Sequence, residues 1–353
     1  MKSGIRISIR VLCFLLIFLL LFCIIERILV AKTFPLRDNL NEKISPYILS
    51  QKLSGFYELE EDSLDVVFMG SSHIHCCVDP LIIWENYGYT SYDLSADSQD
   101  MATAYYYCKE MFKTQSPQKV VVTIDQIPER QTGLETHFSF DFMEPSLNKL
   151  EGLIRRAPDD QWPLYLTSYP DYHSRWTELT IDDFRYFTAP RENPFFGYFA
   201  YCVTETIKPW ENEHITTACQ LTDGYKNTID RFYALCQEND CTLEFIKTPS
   251  AIGSLYTELV NAVRAYVSDR GIKVTDYSYD DRIGIDWSRD FADQVHANIY
   301  GSEKFSKVLG EDLLDGLTVK EHSESVVESY NEGLAFYRQC VAEYEQSKTS
   351  GAG

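Results

Sequence analysis

A three-layer, doubly wound α/β domain on a parallel sheet is predicted by two features of the sequence. Short runs rich in β-branched and aromatic residues alternate with amphipathic helical stretches along most of the chain. Such alternation builds a parallel sheet with helices on both faces. The chain has 353 residues, 44% hydrophobic and 24% charged, which is enough to bury a sizeable core and excludes disorder or a small disulfide scaffold as whole-chain descriptions.

Residues 1–31 stand apart from that pattern. Six Lys/Arg and one acid fall in 1–37, and Val11 to Ile25 is an unbroken run of fifteen apolar residues. Ile28 to Ala31 extends the apolar reach to about 21 positions, long enough to span a bilayer. Glu26 and Arg27 lie where a cleaved signal peptide would run into its small-residue site, so an uncleaved signal anchor is expected rather than a cleaved leader or a buried core helix. Flanking positive charge holds the short N-terminus inside, which makes this a single-pass protein of the cell membrane with an extracytoplasmic domain. The chain from 38 to 353 carries 26 Lys/Arg against 52 Asp/Glu. That charge repels phosphate backbones, so nucleic acid is not an expected partner.

After a juxtamembrane stretch (32–61), five strands are expected at Val66–Met69, Thr90–Leu94, Val120–Ile124, Thr242–Ile246 and Ile272–Val274. Helices are expected over Met101–Phe112, Asn227–Cys236, Tyr256–Asp269 and Ser302–Leu314. Segment 131–220 breaks the rhythm with Trp162-Pro163, Tyr169-Pro170 and Asn193-Pro194-Phe195-Phe196, and reads as an insertion or cap in a domain spanning 62–316. In 317–353, Val326, Tyr330, Leu334, Tyr337, Val341 and Tyr344 fall on one face of a helix expected to pack on the domain, with fraying from Ser347 to Gly353. Cys236 and Cys241 flank a helix-to-strand turn and could bridge; the cysteines outside the anchor read mainly as buried free thiols.

Chemistry concentrates at two places. Phe68-Met69-Gly70-Ser71-Ser72-His73 ends the first strand on glycine and serine, at the sheet edge where ligands bind in doubly wound folds. Asp293-Gln294-Val295-His296 falls between the last strand and the closing helix, where an acid three residues before a histidine can reach Nδ1 and leave Nε2 free for a serine. The same D-x-x-H could instead cap the closing helix through Asp293 or Asn298. His73, His75, Cys76 and Cys77 lack metal-ligand spacing, and no G-x-x-x-x-G-K-[ST] or G-x-G-x-x-G occurs, so neither a metal nor a cofactor is expected. Tyr172-His173-Ser174-Arg175-Trp176 makes His173 and Arg175 candidates for holding a sugar or phosphate group, beside a packed aromatic cluster as the alternative.

These two blocks resemble the SGNH (GDSL-type) hydrolase superfamily over roughly 62–130 and 225–315. Its membrane-anchored branch, the D-alanine transfer proteins of teichoic-acid modification and the exopolysaccharide O-acetylation proteins, looks most similar. The resemblance implies an SGNH, flavodoxin-like sheet, with Ser72 as nucleophile, His296 as base and Asp293 as its orienter. It also implies a serine acyltransferase or esterase acting on a cell-surface glycan or teichoic-type polymer, with a membrane-bound O-acyltransferase as a further partner. Two departures stand out: where the superfamily supplies a Gly and an Asn as oxyanion donors, this chain has Asp93 to Gln99 and Ile124-Asp125-Gln126. The remaining donor candidates are the Ser72 and Ala96 N–H groups and the side chains of Gln99 and Gln126. Those departures leave a catalytically silent scaffold, binding polymer or an acyltransferase, as the alternative.

Overall fold

The computed structural model describes residues 2–30, 52–124, 131–167, 173–185, 193–209, 215–251 and 254–350. Helix α1 (Lys2–Val30) opens the chain, and its stretch Arg6–Leu29 is long and apolar enough to cross a membrane. Its large side chains, such as Phe14, Phe18 and Leu20, are exposed, as a lipid-facing helix requires. Most of the expected juxtamembrane stretch, 31–51, lies outside the described residues.

The domain is α/β. Strands β1 (Val66–Gly70), β2 (Ser91–Ser95), β3 (Lys119–Thr123), β4 (Thr242–Lys247) and β5 (Lys273–Asp276) form one all-parallel sheet in the order β2-β1-β3-β4-β5. Central strands are buried on both faces, which explains their continuous apolar reading. Side chains alternate between two cores. Val67, Met69, Val120 and Val122 meet helices Met101–Met111, Asp223–Glu238 and Ser254–Tyr266, while Val66, Phe68 and Val121 meet Phe305 and Leu309 of Ile299–Leu313.

Between β3 and β4 the chain adds helices Gly133–Phe140 and Leu147–Arg156, short 3-10 turns, and helix Ile181–Arg185. The later part, 193–207, is woven into the domain. Asp93 N–H donates to Phe196 O (2.9 Å), Phe199 N–H to His75 O (2.6 Å), and Glu205 N–H to Phe291 O (2.8 Å). Gly197, at φ +89, is required there because a Cβ would collide with the Asp93 backbone.

The C-terminal helix Glu324–Ser350 lays Val326, Tyr330 and Tyr337 into the core. Tyr330 OH accepts from Ser91 N–H (3.0 Å) and donates to Ser91 O (2.6 Å), which occupies polar backbone on the edge strand β2. The helix continues past Ser347, where the sequence predicts fraying. Ser347 and Thr349 hydroxyls donate back to Tyr344 O (2.7 Å) and Gln346 O (2.9 Å), and 351–353 lie outside the described residues. Cys236 and Cys241 are buried free thiols, not a bridge.

Candidate active site

The sheet edge at the carboxyl ends of β1 and β3 is the point where the strand order reverses. Strand β1 ends on Gly70, whose φ of +147 is one that residues with side chains rarely adopt. A Cβ there would strike Thr123 Oγ1 on β3. Past this pinch, Ser71 caps a one-turn helix, Ser72–His75, with its hydroxyl accepting from His73 N–H (3.3 Å). Ser72 is the first residue of that turn, and the first N–H groups of a helix have no intrahelical acceptor.

The loop before Ile299–Leu313 returns to the same edge. Ser72 Oγ lies 2.8 Å from His296 Nε2, and His296 Nδ1 lies 2.6 Å from Asp293 Oδ2. With Nδ1–H donating to the carboxylate, Nε2 is the lone-pair nitrogen facing the serine; this tautomer follows from the hydrogen-bond pattern. Asp293 Oδ1 accepts from the Val295 and His296 N–H groups, each at 2.9 Å. Burial opposes ionisation of Asp293, but the hydrogen bond from His296 and those backbone donors outweigh it and hold its carboxyl at about 2.

Capping does not use Asp293. Asn298 Oδ1 accepts from Tyr300 N–H (3.0 Å) and Gly301 N–H (3.3 Å), so Asn298 starts the closing helix. Its amide donates to Arg289 O (2.6 Å) and Val203 O (3.1 Å). The loop is closed by Ala292 N–H donating to His296 O (2.9 Å) and Asn298 N–H to Asp290 O (3.0 Å). Tyr201 and His73 pack beside the His296 ring at 5.8 and 6.0 Å between centroids.

The other candidates fare differently. Ala96 is buried and lines a small cavity with Lys52, Leu53, Asp97, Phe138 and Phe142. Gln99 is fully buried, and its amide nitrogen and oxygen have no hydrogen-bond partner among the described residues. Asp125 and Gln126 lie outside the described residues. Arg175 is engaged elsewhere: its guanidinium donates to Leu29 O, at the end of α1, and to Asp183 Oδ1 (3.2 Å). These two bonds hold the guanidinium within the protein through one donor on each terminal nitrogen. His173 is exposed on the same 3-10 turn, His173–Thr177.

One polar cluster escapes sequence reasoning. Beneath the Ser72 turn, buried His75 places Nδ1 at 2.9 Å from both Lys52 Nζ and Ser95 Oγ, and Nε2 at 3.1 Å from Asp97 Oδ1. These partners come from two separate segments, 20 to 23 residues from His75 on either side, so no local pattern announces them. Burial, reinforced by Lys52, pushes the His75 imidazole down to about 4, and burial lowers Lys52 against the pull of Asp97. Burial opposes ionisation of Asp97 too, but Lys52 and His75 keep its carboxyl below the usual carboxylate range.

A histidine held neutral in the fold binds its proton more weakly than in the unfolded chain. Its stabilising contribution is therefore whole above the unfolded value, about 6.5, and lost as pH falls toward about 4. The expected loss is about 3 kcal/mol. Asp79, which burial raises to about 7, acts in the opposite direction over much of this range. The His75 share is thus read as a difference: melting temperatures of wild type and His75→Gln should diverge at neutral pH and converge near pH 4. Parallel curves would contradict the assignment.

Among the described residues no group of three or more His, Cys, Asp or Glu is placed to hold a metal ion. Compared with known proteins, the chain matches no family model and no curated sequence.

Proposed function

We propose that the chain is a membrane-anchored serine acyltransferase or esterase of SGNH type, acting outside the cell on acyl groups of a cell-surface polysaccharide or teichoic-type polymer. The observation that carries the reading is the continuous relay from Ser72 Oγ through His296 to Asp293, with both steps under 3 Å. Ser72 Oγ attacks the acyl carbonyl while His296 Nε2 takes its proton. The tetrahedral oxyanion is met by the Ser72 N–H at the head of its helical turn. Collapse expels the donor's alkoxide, which receives the proton from His296, and leaves the acyl group on Ser72. A polymer hydroxyl or water, deprotonated by His296, then attacks that ester and frees the serine.

Asp293 orients the imidazole and offsets the charge it gains. The anchor keeps this chemistry at the membrane face, where a membrane-bound O-acyltransferase could supply acyl groups. Full-length protein in detergent is expected to release p-nitrophenol from p-nitrophenyl acetate as a burst equal to the enzyme concentration, absent in Ser72→Ala. Equal release by the two proteins would contradict the reading and favour the silent scaffold.

A further inference from the structure

Next to the end of α1, segment 173–185 folds around a single buried acid. Asp183 is fully buried, taking a hydrogen bond from Arg175 (3.2 Å) on one oxygen and from the Thr180 N–H (2.7 Å) and hydroxyl (3.0 Å) on the other. The 3-10 turn His173–Thr177 and the helix Ile181–Arg185 are thereby locked together, and both touch α1. Arg175 also donates to Leu29 O, the last residue of the apolar span. Helix C-terminal carbonyls lack intrahelical donors and favour a cation, so this contact places Arg175 at the level where α1 leaves its apolar surroundings.

Arg175 and Asp183 turn inward, while three large apolar side chains of the segment face outward. Trp176 is 70%, Ile181 66% and Phe184 50% exposed, within nine residues of sequence. Clustered large apolar side chains on a surface mark a contact with something apolar. Here the segment packs against α1, whose own large apolar side chains are exposed, and tryptophan beside arginine at the end of a span is the side-chain chemistry of a membrane interface.

We propose that segment 173–185 docks on the outer surface of the lipid bilayer beside the exit of α1, inserting Trp176, Ile181 and Phe184 at headgroup depth. The inference goes beyond the proposed activity and rests on α1 spanning a membrane. It gives the domain a second attachment, which fixes its orientation on the membrane.

The test uses full-length protein reconstituted in phosphatidylcholine and phosphatidylglycerol vesicles, with and without brominated acyl chains. Emission from Trp176, taken as wild type minus Trp176→Phe, should lose most of its intensity in brominated vesicles. An unquenched Trp176 in protein that resists alkaline carbonate extraction would overturn the docking while leaving the anchor intact. Protein that washes off in carbonate would remove the anchor and the docking together. A Trp176 shielded from aqueous acrylamide yet untouched by bromolipid would show that protein, such as a second copy of the chain, covers the surface, and this too would overturn the proposal.

Discussion

Replacing His296 by alanine should slow acylation of Ser72 by about 10⁴-fold or more while the protein melts at its normal temperature. A serine hydroxyl is a weak nucleophile unless its proton is taken during attack, and His296 Nε2 is the acceptor placed for that, 2.8 Å from Ser72 Oγ. The imidazole sits in a partly exposed loop and, among the described residues, its side chain hydrogen-bonds Ser72 and Asp293 alone, so its loss removes chemistry and only the edge contacts with Tyr201 and His73. Asp293→Asn should cost about 10⁴-fold or somewhat less, because an amide no longer fixes the tautomer that leaves Nε2 free. Since Asn298 caps the closing helix, neither substitution should unfold it. A lowered melting temperature with unchanged acylation per folded molecule would return Asp293 and His296 to a structural role.

Gly70→Ala should lower stability by about 2–6 kcal/mol and abolish acylation. Two costs combine: the φ of +147 imposes about 1–3 kcal/mol of backbone strain on a residue with a side chain. Forcing a methyl group against Thr123 Oγ1, with Ile74 on its far side, adds about 1–3 kcal/mol of overpacking. Because Ser72 is two residues further on, any shift that relieves the collision moves its hydroxyl away from His296. Urea unfolding of Gly70→Ala and of Gly70→Ala/Thr123→Ala separates the terms, since the second variant recovers the steric share only. Wild-type stability in the single variant would refute the pinch at the end of β1.

The strands were legible because buried parallel strands write themselves as β-branched and aromatic runs; Val66-Val67-Phe68-Met69 needs no partner to be read. Serine and D-x-x-H were legible as one constellation because a parallel sheet delivers strand ends to one edge. What stayed hidden depends on contacts without local period. Lys52, His75, Ser95 and Asp97 meet only once β1 and β2 are paired and the chain after the anchor folds beneath the Ser72 turn. Arg175 beside His173 and Trp176 suggests a ligand-binding fork, while its bonds to a buried aspartate eight residues away and a helix carbonyl 146 residues away have no local signal. Segment 193–207, within the insertion read from the sequence, gives no local sign that its backbone supports both the Ser72 turn and the His296 loop.

The most direct test of the relay is the mapping of a fluorophosphonate adduct. Ser72 Oγ should displace fluoride and carry the phosphonyl group, and peptide mass spectrometry at neutral pH should place the added mass on Ser72. Ser71→Ala should still be labelled, with about 1 kcal/mol of stability lost to the missing cap, while Ser72→Ala and His296→Ala should not be labelled at a measurable rate. An adduct on Ser71, or labelling that survives in Ser72→Ala, would contradict the assignment of Ser72, His296 and Asp293 as a working triad.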